Sequence, residues 1–151
     1  MIQYVYKKLD TDTVRQLIEL SRLWVKEDCS YGIVANTADD LQEPAAVALD
    51  GQTIVGYCFG HSYIRERKKS YMEAGESCFA VDELYVLPQY RGTGIGRELF
   101  RMIEKEAGKN CSFLTLATST KNYKAILKLY IEELGMNFHS AFLIKKLEEM
   151  I

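Results

Sequence analysis

The feature that most constrains this chain is a change of local pattern within residues 84–100. An apolar, β-prone run ends at Pro88, and three glycines follow at alternate positions, Gly92, Gly94 and Gly96. A helix-forming pattern then begins at once, so the stretch predicts a strand, a glycine loop and a helix N-terminus. Because the free backbone N–H groups of such a helix end bind anions, the stretch predicts a site for a phosphorylated ligand.

The spacing of these glycines separates different kinds of phosphate site. It reads G-x-G-x-G, whereas a dinucleotide fold needs G-x-G-x-x-G after its first strand and an acidic residue about 20 positions later. The Gly-Lys-Ser/Thr ending of a nucleotide P-loop is absent. An ordinary strand-to-helix turn stays open as an alternative. The run of three glycines, with the cationic Arg97 in the first helical turn, favours a bound anion.

Hydrophobic periodicity predicts strands and helices along the whole chain. Strands are expected at residues 2–9, 45–49, 53–64, 79–87, 112–118 and 137–147, with a hairpin turn at Asp50-Gly51. Helices are expected from a cap near Thr11, from Ile95 to near Gly108, and over residues 120–134, where Gly135 ends the last one. This order indicates an α/β fold of the α+β type, with helices packed on one mixed sheet. We expect a single domain over residues 1–151.

Composition excludes several classes of protein. A net charge of -2 does not predict a nucleic-acid partner. The four cysteines are widely spaced and do not cluster with the two histidines, so no metal site is predicted. Neither a signal peptide nor an apolar run of membrane-spanning length is visible, and a cytoplasmic location without a membrane partner is the expectation.

Residues 89–96, QYRGTGIG, resemble the acyl-CoA-binding loop of the GNAT N-acetyltransferase superfamily. The family pattern Q/R-x-x-G-x-G/A falls on Arg91, Gly94 and Gly96, and the strand before and the helix after this loop match as well. The resemblance implies an acetyl-CoA-dependent N-acyltransferase with a twisted, mostly antiparallel sheet. That sheet is expected to splay between the strands at 79–87 and 112–118, where the pantetheine arm of the cofactor enters.

A second stretch resembles a later helix of the same family, in which an asparagine, an alanine and a tyrosine precede a glycine. Here the alanine is Ala125, the tyrosine is Tyr130 and the glycine is Gly135. Tyr130 lies five residues after Ala125, where the family commonly has four, and an insertion or a π-bulge would accommodate the difference. Counted from Ala125, the family's tyrosine position falls on Leu129, and counted from Gly135 it falls on Ile131. Both positions therefore stay alternatives to Tyr130.

The resemblance implies acetyl-CoA as the cofactor and a set of residues that hold it. A backbone N–H on the central strand, within residues 85–87, is expected to stabilise the thioester oxygen. The loop and the helix N-terminus are expected to hold the phosphates, with charged contacts from two arginines. The full set is Tyr85, Val86, Leu87, Arg91, Gly92, Thr93, Gly94, Ile95, Gly96, Arg97, Asn122 and Tyr130.

In this family an amine attacks the thioester carbonyl directly, which requires a neutral amine. A lysine-like amine has a pKa of about 10.4, so a base must take its proton. Glu83 is expected to be that base, with a solvated charge at a strand end as the alternative, and strand alternation predicts Asp82 on the opposite face. Tyr130 is expected to protonate the leaving thiolate, with a role as a core residue as the alternative.

The acceptor is predicted to be a cationic amine of a small molecule that is polyamine-, aminoglycoside- or amino-acid-like. The residues expected to contact it are Trp24, Glu27, Tyr71 and Glu83. An acetyltransferase of protein or peptide amines, a non-catalytic acyl-CoA sensor on the same fold and a nucleotide-dependent enzyme stay open as alternatives. A homodimer is left open as the assembly.

Overall fold

The computed structural model describes residues 1–70 and 72–148. Within them, five strands form one sheet in the order β1-β2-β3-β4-β5. Neighbours from β1 to β4 are antiparallel, whereas β4 and β5 are parallel. This mixed sheet flanked by helices confirms the predicted fold class. The strands are β1 (Ile2–Lys7), β2 (Ala45–Asp50), β3 (Thr53–Ile64), β4 (Ser77–Val86) and β5 (Phe113–Leu116).

Helices α1 and α2 connect strands of the sheet, and α3 follows the last strand. Helix α1 begins one residue after Asp10, whose carboxylate accepts a 2.8 Å bond from the N–H of Thr13, so the cap lies immediately before the expected position. Helix α2 starts after Gly94 and ends before Gly108, as predicted. The bounds are α1 (Thr11–Glu27), α2 (Ile95–Ala107) and α3 (Tyr123–Leu127), with 3-10 turns at Ala38–Asp40 and Pro88–Tyr90.

The sheet has an apolar core on each face, because successive side chains of a strand point to opposite sides. On one face α1 packs Leu17 against Tyr57 and Phe59, all fully buried. On the other face α2 packs Leu99 and Phe100 against the alternate residues of β2, β3 and β4. Since the central strands are covered on both sides, they read as nearly continuous apolar runs in the sequence.

Strands β4 and β5 diverge along their length. Only Cys78 to Val81 of β4 pair with β5, opposite Phe113 to Leu116, and β4 then continues alone on that side to Val86. A gap therefore opens between the second half of β4 and the chain that follows β5. This divergence is the splay predicted between the two strands.

The last helical region contains the irregularity that the spacing of its motif predicts. Helix α3 continues directly into a π-helical segment, Lys128–Glu133, which contains Tyr130 and ends before Gly135, where φ is +73°. The extra residue between alanine and tyrosine is thus absorbed by a wider helical turn. The helix starts at Tyr123 rather than at Thr120, because Thr120 instead forms an isolated antiparallel bridge with Ser30.

The strand predicted at residues 137–147 is wrong for this structure. The described part of the C-terminal segment, residues 137–148, has no regular secondary structure. Its apolar side chains are exposed, with Phe142 at 90% and Leu143 at 88% of full accessibility. An alternating pattern becomes a strand only where a neighbouring strand supplies hydrogen bonds, and this segment pairs with none of the five strands.

Two further findings concern the described residues only. No helix among them is both long and apolar enough to cross a membrane. No group of three or more histidine, cysteine, aspartate or glutamate side chains among them is arranged to hold a metal ion.

Candidate active site

A cavity of about 810 Å³ occupies the gap where β4 and β5 diverge. Its volume is within the usual range for small-molecule sites, roughly 300–1,000 Å³. The walls come from β4, the chain after β5, the N-terminus of α2 and the π-helical segment. The predicted site residues that line it are Trp24, Glu83, Tyr85, Val86, Arg91, Gly92, Gly94, Ile95, Gly96, Arg97, Asn122 and Tyr130.

Three predicted site residues that the structure describes, Glu27, Leu87 and Thr93, do not line the cavity. Leu87 donates its backbone N–H to Val55 O at 2.9 Å, and the hydroxyl of Thr93 donates to Tyr90 O at 2.9 Å. Glu27 does not line the cavity and contacts two residues that do. Tyr71 lies outside the described residues.

The N-terminus of α2 provides unpaired hydrogen-bond donors at one end of the cavity. The cap residue, Gly94, has φ +90° and no side chain with which to bond the first turn. The first bond of the helix runs from Glu98 N to Gly94 O at 3.1 Å, and no described residue accepts from the N–H groups of Ile95, Gly96 and Arg97. Three aligned donors at the positive end of a helix dipole form an anion-binding site.

Arg97 adds a positive charge at the same end. Its guanidinium lies 3.6 Å from the carboxylate of Glu133 in the π-helical segment, and both side chains are 41% exposed. This ion pair joins the two elements that flank the mouth of the cavity. Because an exposed pair of this kind is weak, the guanidinium can turn toward a stronger anion at low cost.

Arg91 forms a fork between the strand and the first helix. Its Nε donates to Val86 O at 2.8 Å, and its Nη2 donates to Glu27 at 2.8 Å. The Glu27 carboxylate also accepts from the Tyr85 hydroxyl. Trp24 stacks on the Tyr85 ring with centroids 5.1 Å apart. Residues predicted separately for cofactor and acceptor therefore form one connected cluster.

A β-bulge in β4 determines which way the two acidic residues point. Val81 pairs with Gly60 and Glu83 pairs with Phe59, so Asp82 is an extra residue in β4. The prediction that Asp82 faces the opposite side from Glu83 is therefore wrong, because the bulge breaks the alternation. Both side chains lie on the α1 side of the sheet, where Asp82 bonds to His61 Nδ1 at 2.9 Å.

Glu83 is held on the cavity wall by two hydrogen bonds to the same oxygen. Its Oε1 accepts from the Tyr57 hydroxyl at 2.8 Å and from the Asn36 side-chain amide at 2.9 Å. Burial raises the pKa of Glu83, and these two bonds, which favour the charged form, partly offset that rise. The result is a half-buried carboxyl group whose pKa lies above its ordinary value, as expected of a group that takes up and releases protons.

The backbone of β4 presents one N–H to the open side. The N–H of Leu87 is used by β3, and neighbouring residues of a strand bond to opposite sides. The N–H of Val86 therefore points into the gap, and the Val86 carbonyl, which Arg91 reaches, confirms this orientation. Within residues 85–87, this leaves Val86 as the donor available to a ligand.

The hydroxyl of Tyr130 is also available. Tyr130 is 8% exposed, lines the cavity and packs its ring 5.8 Å from that of Phe100. No described residue forms a hydrogen bond with its hydroxyl. Burial raises the pKa of Tyr130 above its ordinary value, so the phenol stays protonated and remains a donor at neutral pH.

The chain on either side of the cavity is joined across it. Tyr31 N donates to Ser119 O at 2.9 Å, and Lys121 N donates to Cys29 O at 2.8 Å. Lys121 also pairs with Asp28 at 3.0 Å. These contacts bind the segment after α1 to the segment after β5, which gives the cavity a fixed wall.

The arrangement combines an anion site, a backbone donor, a phenol and a carboxylate around one space. Such a set can bind a phosphorylated carrier, polarise a carbonyl, and exchange protons with a bound molecule. Sequence reasoning missed Tyr57 and Asn36, the two partners of Glu83. In the sequence, Tyr57 is only a polar-tipped side chain within an apolar strand, and Asn36 is only a polar residue in an irregular segment. Neither feature identifies Glu83 as the residue that it contacts.

Comparison with known proteins gives a family. The model of the acetyltransferase (GNAT) family matches residues 11–136. No curated protein matches this chain.

Solved structures share the fold at low sequence identity. A ribosomal-protein-alanine N-acetyltransferase from Brucella melitensis biovar Abortus has a TM-score of 0.67 at 19% identity, covering 96% of this chain and 99% of that one. A predicted acetyltransferase from Clostridium acetobutylicum, solved with acetyl-CoA, has a TM-score of 0.67 at 16% identity, with coverages of 97% and 96%. The aminoglycoside acetyltransferase AAC(6')-Iy, in complex with a bisubstrate analogue, has a TM-score of 0.66 at 13% identity, with coverages of 98% and 99%.

Proposed function

The chain belongs to the GNAT family of acetyl-CoA-dependent N-acyltransferases, and we propose that it transfers the acetyl group to a primary amine of a small molecule. The observation that carries this proposal is the position of the Glu83 carboxyl group, which lies on the wall of the splayed cavity and accepts hydrogen bonds from Tyr57 and Asn36 through one oxygen only. A carboxyl group in this position suits an acceptor that must lose a proton before it reacts.

The residues of the cavity fit the cofactor of the family, acetyl-CoA. The unpaired N–H groups of Ile95, Gly96 and Arg97, with the Arg97 guanidinium, suit the pyrophosphate. Asn122 also lines the cavity, and we propose that it contacts the pantetheine arm. When bound, acetyl-CoA supplies an activated acetyl thioester.

We assign three roles to residues of this chain. Glu83 takes the proton from the ammonium group of the acceptor, directly or through water. The N–H of Val86, on the open edge of β4, donates to the carbonyl oxygen of the acetyl group. The Tyr130 hydroxyl, which no described residue engages, donates its proton to the leaving sulfur. Each role needs only a group that the structure leaves accessible from the cavity.

The charge around Glu83 supports a cationic acceptor. Asp82 and Asp40 both act on the Glu83 carboxyl group, and each raises its pKa because like charges repel. Trp24 adds an aromatic face on the same wall. A polyamine, an aminoglycoside or an amino-acid-like amine has the matching charge. The proteins of similar structure include both an aminoglycoside acetyltransferase and a ribosomal-protein-alanine N-acetyltransferase. A peptide amine is therefore the second candidate for the acceptor.

The first experiment is a turnover screen with acetyl-CoA against polyamines, aminoglycosides, amino acids and N-terminal peptides, with release of CoA thiol as the readout. We expect turnover with at least one small-molecule amine, and at least a hundredfold loss of kcat in Glu83→Gln. The matched control is Glu76→Gln, which lies outside the cavity wall. Turnover with peptides alone would replace the small-molecule proposal. Tight acetyl-CoA binding without any turnover would favour the non-catalytic sensor.

The single domain over residues 1–151, the cytoplasmic location and the homodimer stay predictions of the sequence. Size-exclusion chromatography with light scattering tests the assembly, and a mass near 17.3 kDa would exclude the dimer.

A further inference from the structure

We infer that Tyr57 and Asn36 are positioning residues for the reaction: together they hold one oxygen of Glu83 and leave the other free for the acceptor. This inference rests on the proposed role of Glu83 as the base. Both hydrogen bonds end on Oε1, at 2.8 Å from the Tyr57 hydroxyl and at 2.9 Å from the Asn36 amide. No described residue donates to Oε2, so that oxygen keeps its lone pairs for the ammonium group or for a water molecule.

The first of these donors is rigid because it belongs to the core. Tyr57 is fully buried in β3 and stacks on Phe59 with ring centroids 5.5 Å apart. Its ring also lies 6.2 Å from that of Tyr85. Burial and the neighbouring Glu83 raise the pKa of the Tyr57 phenol, so it remains a donor across the working pH range. A buried ring with packed neighbours holds its hydroxyl in one place.

The second donor is fixed through the first helix. Asn36 lies in the irregular segment after α1, and its backbone N–H donates to the Ser21 hydroxyl at 2.9 Å. Ser21 is buried and in turn donates to the Ile18 carbonyl at 2.7 Å. This chain of bonds anchors the segment to α1, so the Asn36 amide approaches Glu83 from a fixed direction.

The two bonds also set the charge of the base. Burial is the main influence on Glu83 and raises its pKa, as do the charges of Asp82 from β4 and Asp40 from the 3-10 turn. The donors Tyr57 from β3 and Asn36 act in the opposite sense. Removal of either donor therefore leaves a higher pKa, so that a smaller fraction of Glu83 is ionised at a given pH.

The bulge at Asp82 makes this contact possible. Val81 lies in the apolar core beside α2, and regular alternation would place Glu83 on that same face. Because Asp82 is inserted between them, Glu83 instead meets Tyr57 on the α1 side. The same insertion therefore places the base next to its two donors.

The test compares Tyr57→Phe and Asn36→Leu with the wild type by two measurements. In the first, the pH dependence of kcat/KM for the best amine should show an acidic limb moved upward by about one pH unit in each variant. At pH values above that limb, kcat/KM should return to within a few-fold of the wild-type value. In the second, the Glu83 carboxyl carbon is followed by NMR in the ligand-free protein, and its midpoint should move by the same amount.

Matched controls are Tyr4→Phe on β1 and Asn110→Leu in the turn after α2, and neither residue contacts Glu83. A loss of kcat/KM that is equal at every pH, without a change in the NMR midpoint, would overturn the inference. If Tyr57→Phe does not fold, Asn36→Leu alone decides, since Asn36 lies outside the apolar core. A Glu83→Gln enzyme that keeps full activity would instead overturn the proposed base, which is a distinguishable result.

Discussion

The guanidinium of Arg91 bonds to the carboxylate of Glu27 at 2.8 Å and so joins the glycine loop to the last turn of α1. At the same time its Nε donates to the Val86 carbonyl at 2.8 Å. One planar side chain therefore holds a helix, a loop and the central strand in register. A loop that must present several N–H groups to one ligand benefits from such an anchor, because a loop that is already ordered loses less conformational entropy on binding.

Arg91→Lys should lower the free energy of unfolding by about 1 kcal/mol and raise the KM for acetyl-CoA several-fold. Lysine keeps the charge, but its single ammonium group does not reproduce the two-directional fork. Urea unfolding and initial-rate kinetics measure the two effects. The control is Arg101→Lys on the exposed side of α2, and equal behaviour of the two variants would show that the fork does not matter.

Gly94→Ala should weaken CoA binding about tenfold or more, whereas Gly75→Ala should not change it. Both glycines have strongly positive φ, +90° and +87°, so both substitutions strain the backbone by roughly 1–2 kcal/mol. Only Gly94 caps α2 and directs the N–H groups of its first turn. Calorimetric titration with CoA separates the effects. Equal affinities in the two variants would show that the glycine serves the turn alone.

Tyr130→Phe should lower kcat about a hundredfold with little change in thermal stability. The hydroxyl has no hydrogen-bond partner among the described residues, so its removal costs no protein contact. Tyr123→Phe, an exposed tyrosine at the start of α3, is the control. Steady-state kinetics and thermal unfolding measure both quantities. If Tyr130→Phe keeps the full kcat, Tyr130 is only a core residue and does not protonate the leaving thiolate.

Glu83→Gln should raise the melting temperature at pH 8, and the gain should shrink as the pH falls toward 5. The pKa of Glu83 is higher in the folded than in the unfolded state, so between those two values the folded state binds the extra proton. Stability of the wild type therefore falls as pH rises through this window, and it stays lower above it. Glutamine carries no charge and avoids this cost.

Thermal unfolding of both proteins across this pH range provides the measurement. Glu76→Gln is the control and should show no such trend. A gain from Glu83→Gln that does not depend on pH would mean that the charge of Glu83 is not the cause.

The sequence predicted the parts of the site that depend on local geometry. Gly94 was identifiable as part of an anion site, because a glycine at a strand-to-helix turn can adopt positive φ and has no side chain to cap the helix. The N–H groups of the first turn of α2 therefore stay free. The irregular helix around Tyr130 was detectable because one residue too many separates it from Ala125. The strand at 137–147 was not predictable, since alternation shows a capacity to pair and does not supply the partner.

By itself, the sequence determined the order of strands and helices from β1 to α3, the phosphate-binding helix end and the acyl-CoA family, because each rests on residues close together in the chain. Only the tertiary structure decided which way the Glu83 side chain points and which residues form hydrogen bonds with it. The partners of Glu83 lie 26 and 47 residues away, and Arg91 meets Glu27 across 64 residues. The physical reason is the bulge at Asp82: one inserted residue reverses the direction of a side chain, and it exists only in the pairing of two strands.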